Sequence, residues 1–180
     1  MTPRHAAPVT VALLAVVLVI LAGCAGGRPA TRPTAAAPST TAAQQPQPVT
    51  LADARQCPIT RPNGATPPGV GAQAGVNHGN TWLWTAMWPG GVIKAEPDYV
   101  DKDGSIHMKF GWWRGVRGQL SIQGRRLDAP APPLRAEVPD GYGDRGFQAS
   151  GVIFPTEGCW EITGQVGTAR LTFVNFVIKV

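Results

Sequence analysis

The stretch Glu157-Gly158-Cys159-Trp160-Glu161-Ile162-Thr163-Gly164 decides the fold, together with the run that follows a short turn, Ala169-Arg170-Leu171-Thr172-Phe173-Val174-Asn175-Phe176-Val177-Ile178-Lys179-Val180. Successive side chains of a strand point to opposite faces. Trp160 and Ile162 therefore share one face, and Cys159, Glu161 and Thr163 share the other. The large apolar pair marks the face that meets a core.

Outward from this pair of runs, short apolar segments alternate with turn residues. Strands are expected near Thr81–Trp88, Val92–Ala95, Ser105–Trp113, Gln119–Gln123, Leu134–Val138, Gln148–Phe154, Cys159–Thr163 and Arg170–Val180. Pro89-Gly90-Gly91 and Asp103-Gly104 read as hairpin or tight turns, because Gly supplies positive φ without steric cost. Ala129-Pro130-Ala131-Pro132-Pro133 cannot pair in a ladder and reads as an extended crossing between sheets. Residues 57 to 80 read as an irregular arm, too rich in Gly and Pro for regular structure. Beyond the N-terminal leader no window holds a 3.6-residue period. The expected fold is all-β, a two-sheet sandwich of seven to eight strands over residues 51 to 180.

The final pair of runs resembles the last hairpin of an immunoglobulin-like sandwich. Glu157-Gly158-Cys159-Trp160 is similar to the Gly-x-Tyr corner that opens the penultimate strand, with Trp160 in the Tyr position. Phe154 to Gly164 also resembles a segment of exported bacterial proteins, a likeness over about residues 106 to 180 that implies no activity.

The N-terminus gives an address. Arg4 precedes an apolar stretch, Val9 to Leu21, which ends in Leu21-Ala22-Gly23-Cys24. A basic start, an apolar core and small residues before a cut site form a secretory signal. The four residues resemble a bacterial lipobox, which implies removal of residues 1–23 and acylation of Cys24. The other reading is an uncleaved helix, since about 18 apolar residues just span a bilayer. Either places the remainder outside the cytoplasm, held at the membrane. Residues 24 to 50 then read as a tether of Ala, Pro, Thr, Gly and Gln, which cannot bury enough apolar area to offset the entropy of ordering. In an oxidising compartment Cys57 and Cys159 are expected to form a disulfide, with two free thiols as the alternative. Since Cys159 lies opposite Trp160, the bridge would pin the arm across the outer face of a sheet.

Charged residues make up 15% of the chain against an average of about 25%, which with 22 Gly and 18 Pro excludes a helical bundle or coiled coil. The net charge of +5 is partly a property of the leader and tether, since all 11 acidic residues and 13 of the 16 basic ones lie beyond residue 50. A nucleic-acid partner loses its electrostatic case.

Gly141-Tyr142-Gly143-Asp144-Arg145-Gly146 fits G-x-G-x-x-G, but a strand rather than a helix follows, so it reads as a surface loop. Asp101-Lys102-Asp103-Gly104-Ser105 resembles a calcium loop without its terminal Glu and reads as a turn. His78, His107, Met87 and Met108 could serve copper only if brought together, and adjacent His107 and Met108 point apart. No metal or cofactor is expected. Ser105, Ser121 and Ser150 lack a nucleophile context, and Glu137, Glu157 and Glu161 read as solvated strand residues, which disfavours an envelope hydrolase. The unusual feature is aromatic. Trp82 and Trp84 alternate, Trp88 follows in phase, and of adjacent Trp112 and Trp113 one faces in and one out. At least four of the six Trp are expected in the core. Lys109 to Arg126 holds five basic residues and no acid. Trp112, Trp113, Arg114 and Arg117 are therefore the candidate ligand-binding residues, for a glycan or wall polymer. The expected role is a non-catalytic binding or structural module of the cell envelope, with an envelope polymer or another envelope protein as partner.

Overall fold

A computed structural model describes residues 48–70 and 77–180; the signal segment, Cys24 and the tether as far as residue 47 lie outside the described residues. The described part is all-β. Its strands are β1 (Asn77–Gly79), β2 (Leu83–Ala86), β3 (Val92–Ala95), β4 (Ile106–Arg114), β5 (Ser121–Arg126), β6 (Arg135–Glu137), β7 (Gly146–Phe154), β8 (Gly158–Val166) and β9 (Ala169–Lys179). They form a five-stranded sheet of order β1-β2-β4-β7-β6 and a four-stranded sheet of order β3-β9-β8-β5. Every pairing is antiparallel except that of β3 with β9.

With β1 set aside, β2-β4-β7-β6 takes the A-B-E-D order of an immunoglobulin sheet, and β5, β8 and β9 take the C-F-G places. Between β2 and β3 the chain changes sheets. Pro89-Gly90-Gly91 makes that change, with φ of 65° at Gly90 and 69° at Gly91. It is a tight turn between sheets, not a hairpin. Gly91 has a second constraint, because a Cβ there would collide with Ile59 of the arm. The Pro-rich segment 129–133 carries the chain back from β5 to β6, the crossing expected of residues that cannot join a ladder.

Eight strands fall where the sequence places them, and β1 is an addition. Asn77-His78-Gly79 lies in the segment read as irregular, and it is too short for any period to register. Tertiary pairing makes it a strand, since it lies antiparallel to β2. The Asn63 side chain holds its far edge, donating to Gly79 O (2.7 Å) and accepting from Gly79 N–H (3.1 Å). Asn80 turns the chain into β2, its Oδ1 accepting the N–H groups of Trp82 (2.8 Å) and Leu83 (2.9 Å). Trp82 is thereby a turn residue, and the strand expected from Thr81 starts at Leu83.

The inner faces carry Trp112, Trp160, Phe110, Phe154 and Phe173, all fully buried. Trp160 and Ile162 are among them, as their phase requires. Trp160 Nε1 donates to Thr156 O (3.0 Å), the backward hydrogen bond of the corner that its position suggests. Trp88 leaves the phase of Trp84 after β2 and stacks on Phe110, ring centroids 5.2 Å apart. With Trp84, Trp112 and Trp160 buried and Trp88 packed against the core, four of the six Trp are enclosed, as expected.

The four-stranded sheet is covered on its outer face. Cys57 and Cys159 are joined by a disulfide. Around it Val49, Ala54 and Ile59 of the arm pack on Cys159, Val174, Phe176 and Ile178. Thr60 fixes the arm to β9 twice, through Thr60 N to Val174 O (3.0 Å) and Val174 N to Thr60 Oγ1 (2.9 Å). Beside the bridge, Asp128 accepts hydrogen bonds from Arg126 Nε (2.7 Å) and Cys159 N–H (3.1 Å). Burial alone would raise the Asp128 pKa, but these bonds outweigh it and hold the carboxyl below its ordinary range.

Candidate binding face

Opposite residues of an antiparallel pair share a face. Gly79 pairs with Trp84, Trp84 with Trp113, and Trp113 with Phe147. Since Trp112 is fully buried in the core, this row lies on the outer face of the five-stranded sheet. Its members sit about 4.7–4.9 Å apart, the spacing between neighbouring strands. Gly79 leaves the space that the Trp84 ring occupies, since a Cβ there would overlap it. Phe147 is 51% exposed, with Tyr142 edge-on to it at 5.9 Å. Trp113 is half-buried. Trp84 is buried at 7% exposure, although it faces outward. Ala65, Pro67 and Val70 of the arm wall a groove of about 140 Å³ beside it.

The next row toward the other end of the sheet pairs two small residues, Gly111 and Ala149. The Phe147 ring lies over Gly111, where a Cβ would stand 3.1 Å from it. Beyond this row Lys109, Gly151 and Glu137 align, and then His107, Ile153 and Arg135. His107 Nε2 lies 3.4 Å from Glu137 Oε2. The face therefore runs from aromatic, through small, to polar of mixed sign.

The sequence-level candidates separate. Trp113 and its row are on the face, whereas Trp112 is in the core and unavailable to a ligand. Arg114 is also buried, at 2% exposure, because it shares the inward phase of Trp112. Its guanidinium is spent internally, donating to the carbonyls of Gly118 (2.9 Å), Tyr142 (3.1 Å) and Gly143 (2.8 Å). Arg117 is exposed in the loop after β4, 3.7 Å from Asp144. Arg125 and Arg126 lie on the four-stranded sheet, paired with Glu161 (2.9 Å) and Asp128 (2.7 Å). The five basic residues between Lys109 and Arg126 form no single face, because strand alternation and the change of sheet disperse them. Trp82 is 52% exposed beside the β1–β2 turn rather than stacked in phase with Trp84.

The other motifs resolve as turns. Gly141 to Gly146 is an exposed loop followed by β7, held from beneath by Arg114. Asp101 to Ser105 closes as a turn, with Asp103 Oδ1 accepting Ser105 N–H (2.9 Å) and Ser105 Oγ–H (2.7 Å). Those bonds hold the Asp103 pKa below its ordinary range. Met87 and Met108 are in the core, while His107 points outward from the same strand as Met108. His78 faces Phe173 across the sheets at 6.3 Å, and burial pushes its pKa down. The four soft ligands do not converge. Among the described residues, no three His, Cys, Asp or Glu side chains gather as metal ligands. The His107–Glu137 pair has no serine partner in Ser150 of β7, whose hydroxyl faces the core and meets Phe110 O at 3.4 Å.

Phe147 and Tyr142 were missed as site residues. The register of β4 against β7 puts them beside Trp113, and that register is not visible along the chain. Fold and face together define an immunoglobulin-like sandwich with one outer face closed by a disulfide-held arm and the other carrying an aromatic row. No family model matches the chain, and no curated protein matches its sequence.

Proposed function

We propose that this is a lipid-anchored protein of the cell envelope whose sandwich is a non-catalytic binding module, with the outer face of the five-stranded sheet as its binding surface. One observation carries the binding reading. Within the Trp84–Trp113–Phe147 row, which faces away from the core, Trp113 and Phe147 remain accessible, while Trp84 is buried beside Ala65, Pro67 and Val70 of the arm. Aromatic side chains anchor interfaces because they bury much area at low conformational cost. The anchor reading rests on Leu21-Ala22-Gly23-Cys24, where two acyl chains would give the stable attachment that one cannot. The tether up to residue 50 would then set the domain off from the bilayer.

Expression in a bacterial host tests both parts. The chain is expected to take up labelled palmitate, and Cys24→Ala is expected not to. Residues 25–180, which lack both the leader and Cys24, should still sediment when added to isolated envelopes, and Trp113→Ala should release them. Palmitate uptake unaffected by Cys24→Ala would refute the anchor. Sedimentation unaffected by Trp113→Ala would refute the face.

A further inference from the structure

We infer that the face takes a linear, uncharged polysaccharide lying along β4, from the aromatic row at one end to the His107–Glu137 pair at the other; this inference rests on the binding reading above. Trp113 and Phe147 offer ring surface for the apolar face of a sugar. Between the two ends the small side chain of Ala149 keeps the surface low, with the Phe147 ring over Gly111 and the His107–Glu137 pair over Gly151. From Trp113 to His107 is six residues of one strand, about 20 Å at ~3.3 Å per residue, which suits several linked sugars rather than one.

The polar end selects among ligands. Lys109 only donates hydrogen bonds, Glu137 only accepts, and His107 can do either. His107 and Glu137 close over Gly151, where a Cβ would stand 2.6 Å from His107 Nε2 and 3.1 Å from Glu137 Oε2. A hydroxyl both donates and accepts, so this mixture suits it. An anionic group at Lys109 would also face Glu137, two strands across the sheet with only Gly151 between them.

Two other occupants fit less well. An extended peptide binds by adding a strand to a free edge. Here the β1 edge is held by the arm, with Gly64 N–H on Asn77 O (2.9 Å), and β6 at the other edge has three residues. An acyl chain needs an enclosed cavity, and both concavities of this face, about 140 Å³ beside Trp113 and about 570 Å³ over Lys109 and Gly151, lie open to solvent.

The test uses residues 24–180 carrying Cys24→Ala, free of the apolar leader, titrated with neutral oligosaccharides of glucose and of N-acetylglucosamine. Binding is followed by Trp fluorescence and calorimetry at low and high salt. All six Trp lie between residues 82 and 160, so the signal reports the domain. The expected result is saturable binding that strengthens from disaccharide to longer chains and changes less than about twofold with salt. Trp113→Ala should weaken it about tenfold or more. Ala149→Leu, which fills that low stretch and removes nothing, should do the same, while Thr172→Ala on the other sheet should leave it unchanged. Trp113-dependent binding of an acidic polymer or of anionic vesicles, with none of neutral oligosaccharides, would overturn the assignment but leave the binding face standing. Absence of any Trp113-dependent response would overturn both.

Discussion

Arg114 shows how one side chain organises its surroundings. It is a buried cation that satisfies three backbone carbonyls from two loops, with no carboxylate in contact. Arg114→Met would strand those carbonyls, each costing about 1–3 kcal/mol if left buried without a donor. Chemical denaturation should show a loss of about 3 kcal/mol or more, with the 141–146 loop exchanging its amide hydrogens faster. His78 makes a second prediction. Its burial lowers its pKa, so the unfolded chain binds the proton more readily than the folded one. Stability contributed there is full above the unfolded value of about 6.5 and is lost as pH falls through it toward the lower folded value. His78→Phe should flatten this part of the melting-temperature profile between about pH 7.5 and pH 5. A profile identical to the parent would exclude His78 as its cause. Asp128 acts lower on the scale. Its depressed pKa contributes stability above the ordinary carboxylate value that disappears as pH falls through the folded one.

At the scale of elements, the arm is the least autonomous part of the molecule. Its hold on the four-stranded sheet consists of one disulfide to β8, the Thr60 hydrogen bonds to β9 and a small apolar cluster. The bridge joins residues 102 apart, for which the chain-entropy model gives up to about 4.7 kcal/mol. Replacing both cysteines by serine should cost about 2–5 kcal/mol in equilibrium unfolding. The Val174 amide, bonded to Thr60 Oγ1, should lose protection while the β4–β7 amides keep theirs. A variant as stable as the parent would show that the apolar cluster and the Thr60 hydrogen bonds hold the arm without the bridge. Gly111 belongs to this scale too, since its lack of a side chain lets Phe147 lean across β4. The alternation of β8 and β9 is legible in sequence because both faces are demanding, one on the core and one beneath the arm. The pattern of β1 is not, because three residues carry no period and pairing alone creates it.

Across the whole molecule, stability should follow the ladders. The β4–β7 and β8–β9 pairs each extend over nine register positions, and β1–β2 and β6–β7 over three. Native-state hydrogen exchange should find the first two opening only with global unfolding and the short edges opening locally. Equal protection throughout would contradict this. The amino-acid sequence by itself determined the all-β class, the placement of eight strands, the crossing at residues 129–133 and the inward phase of Trp160. Each of these follows from local chemistry: alternation, turn geometry and the missing N–H of proline. Only the tertiary structure decided that Trp113 rather than Trp112 meets solvent, that Arg114 is internal, and that Phe147 and Tyr142 complete the aromatic row. Those facts depend on which sheet a strand joins and on the register it takes there. Register is a relation between distant segments, set when the two inner faces close on one core.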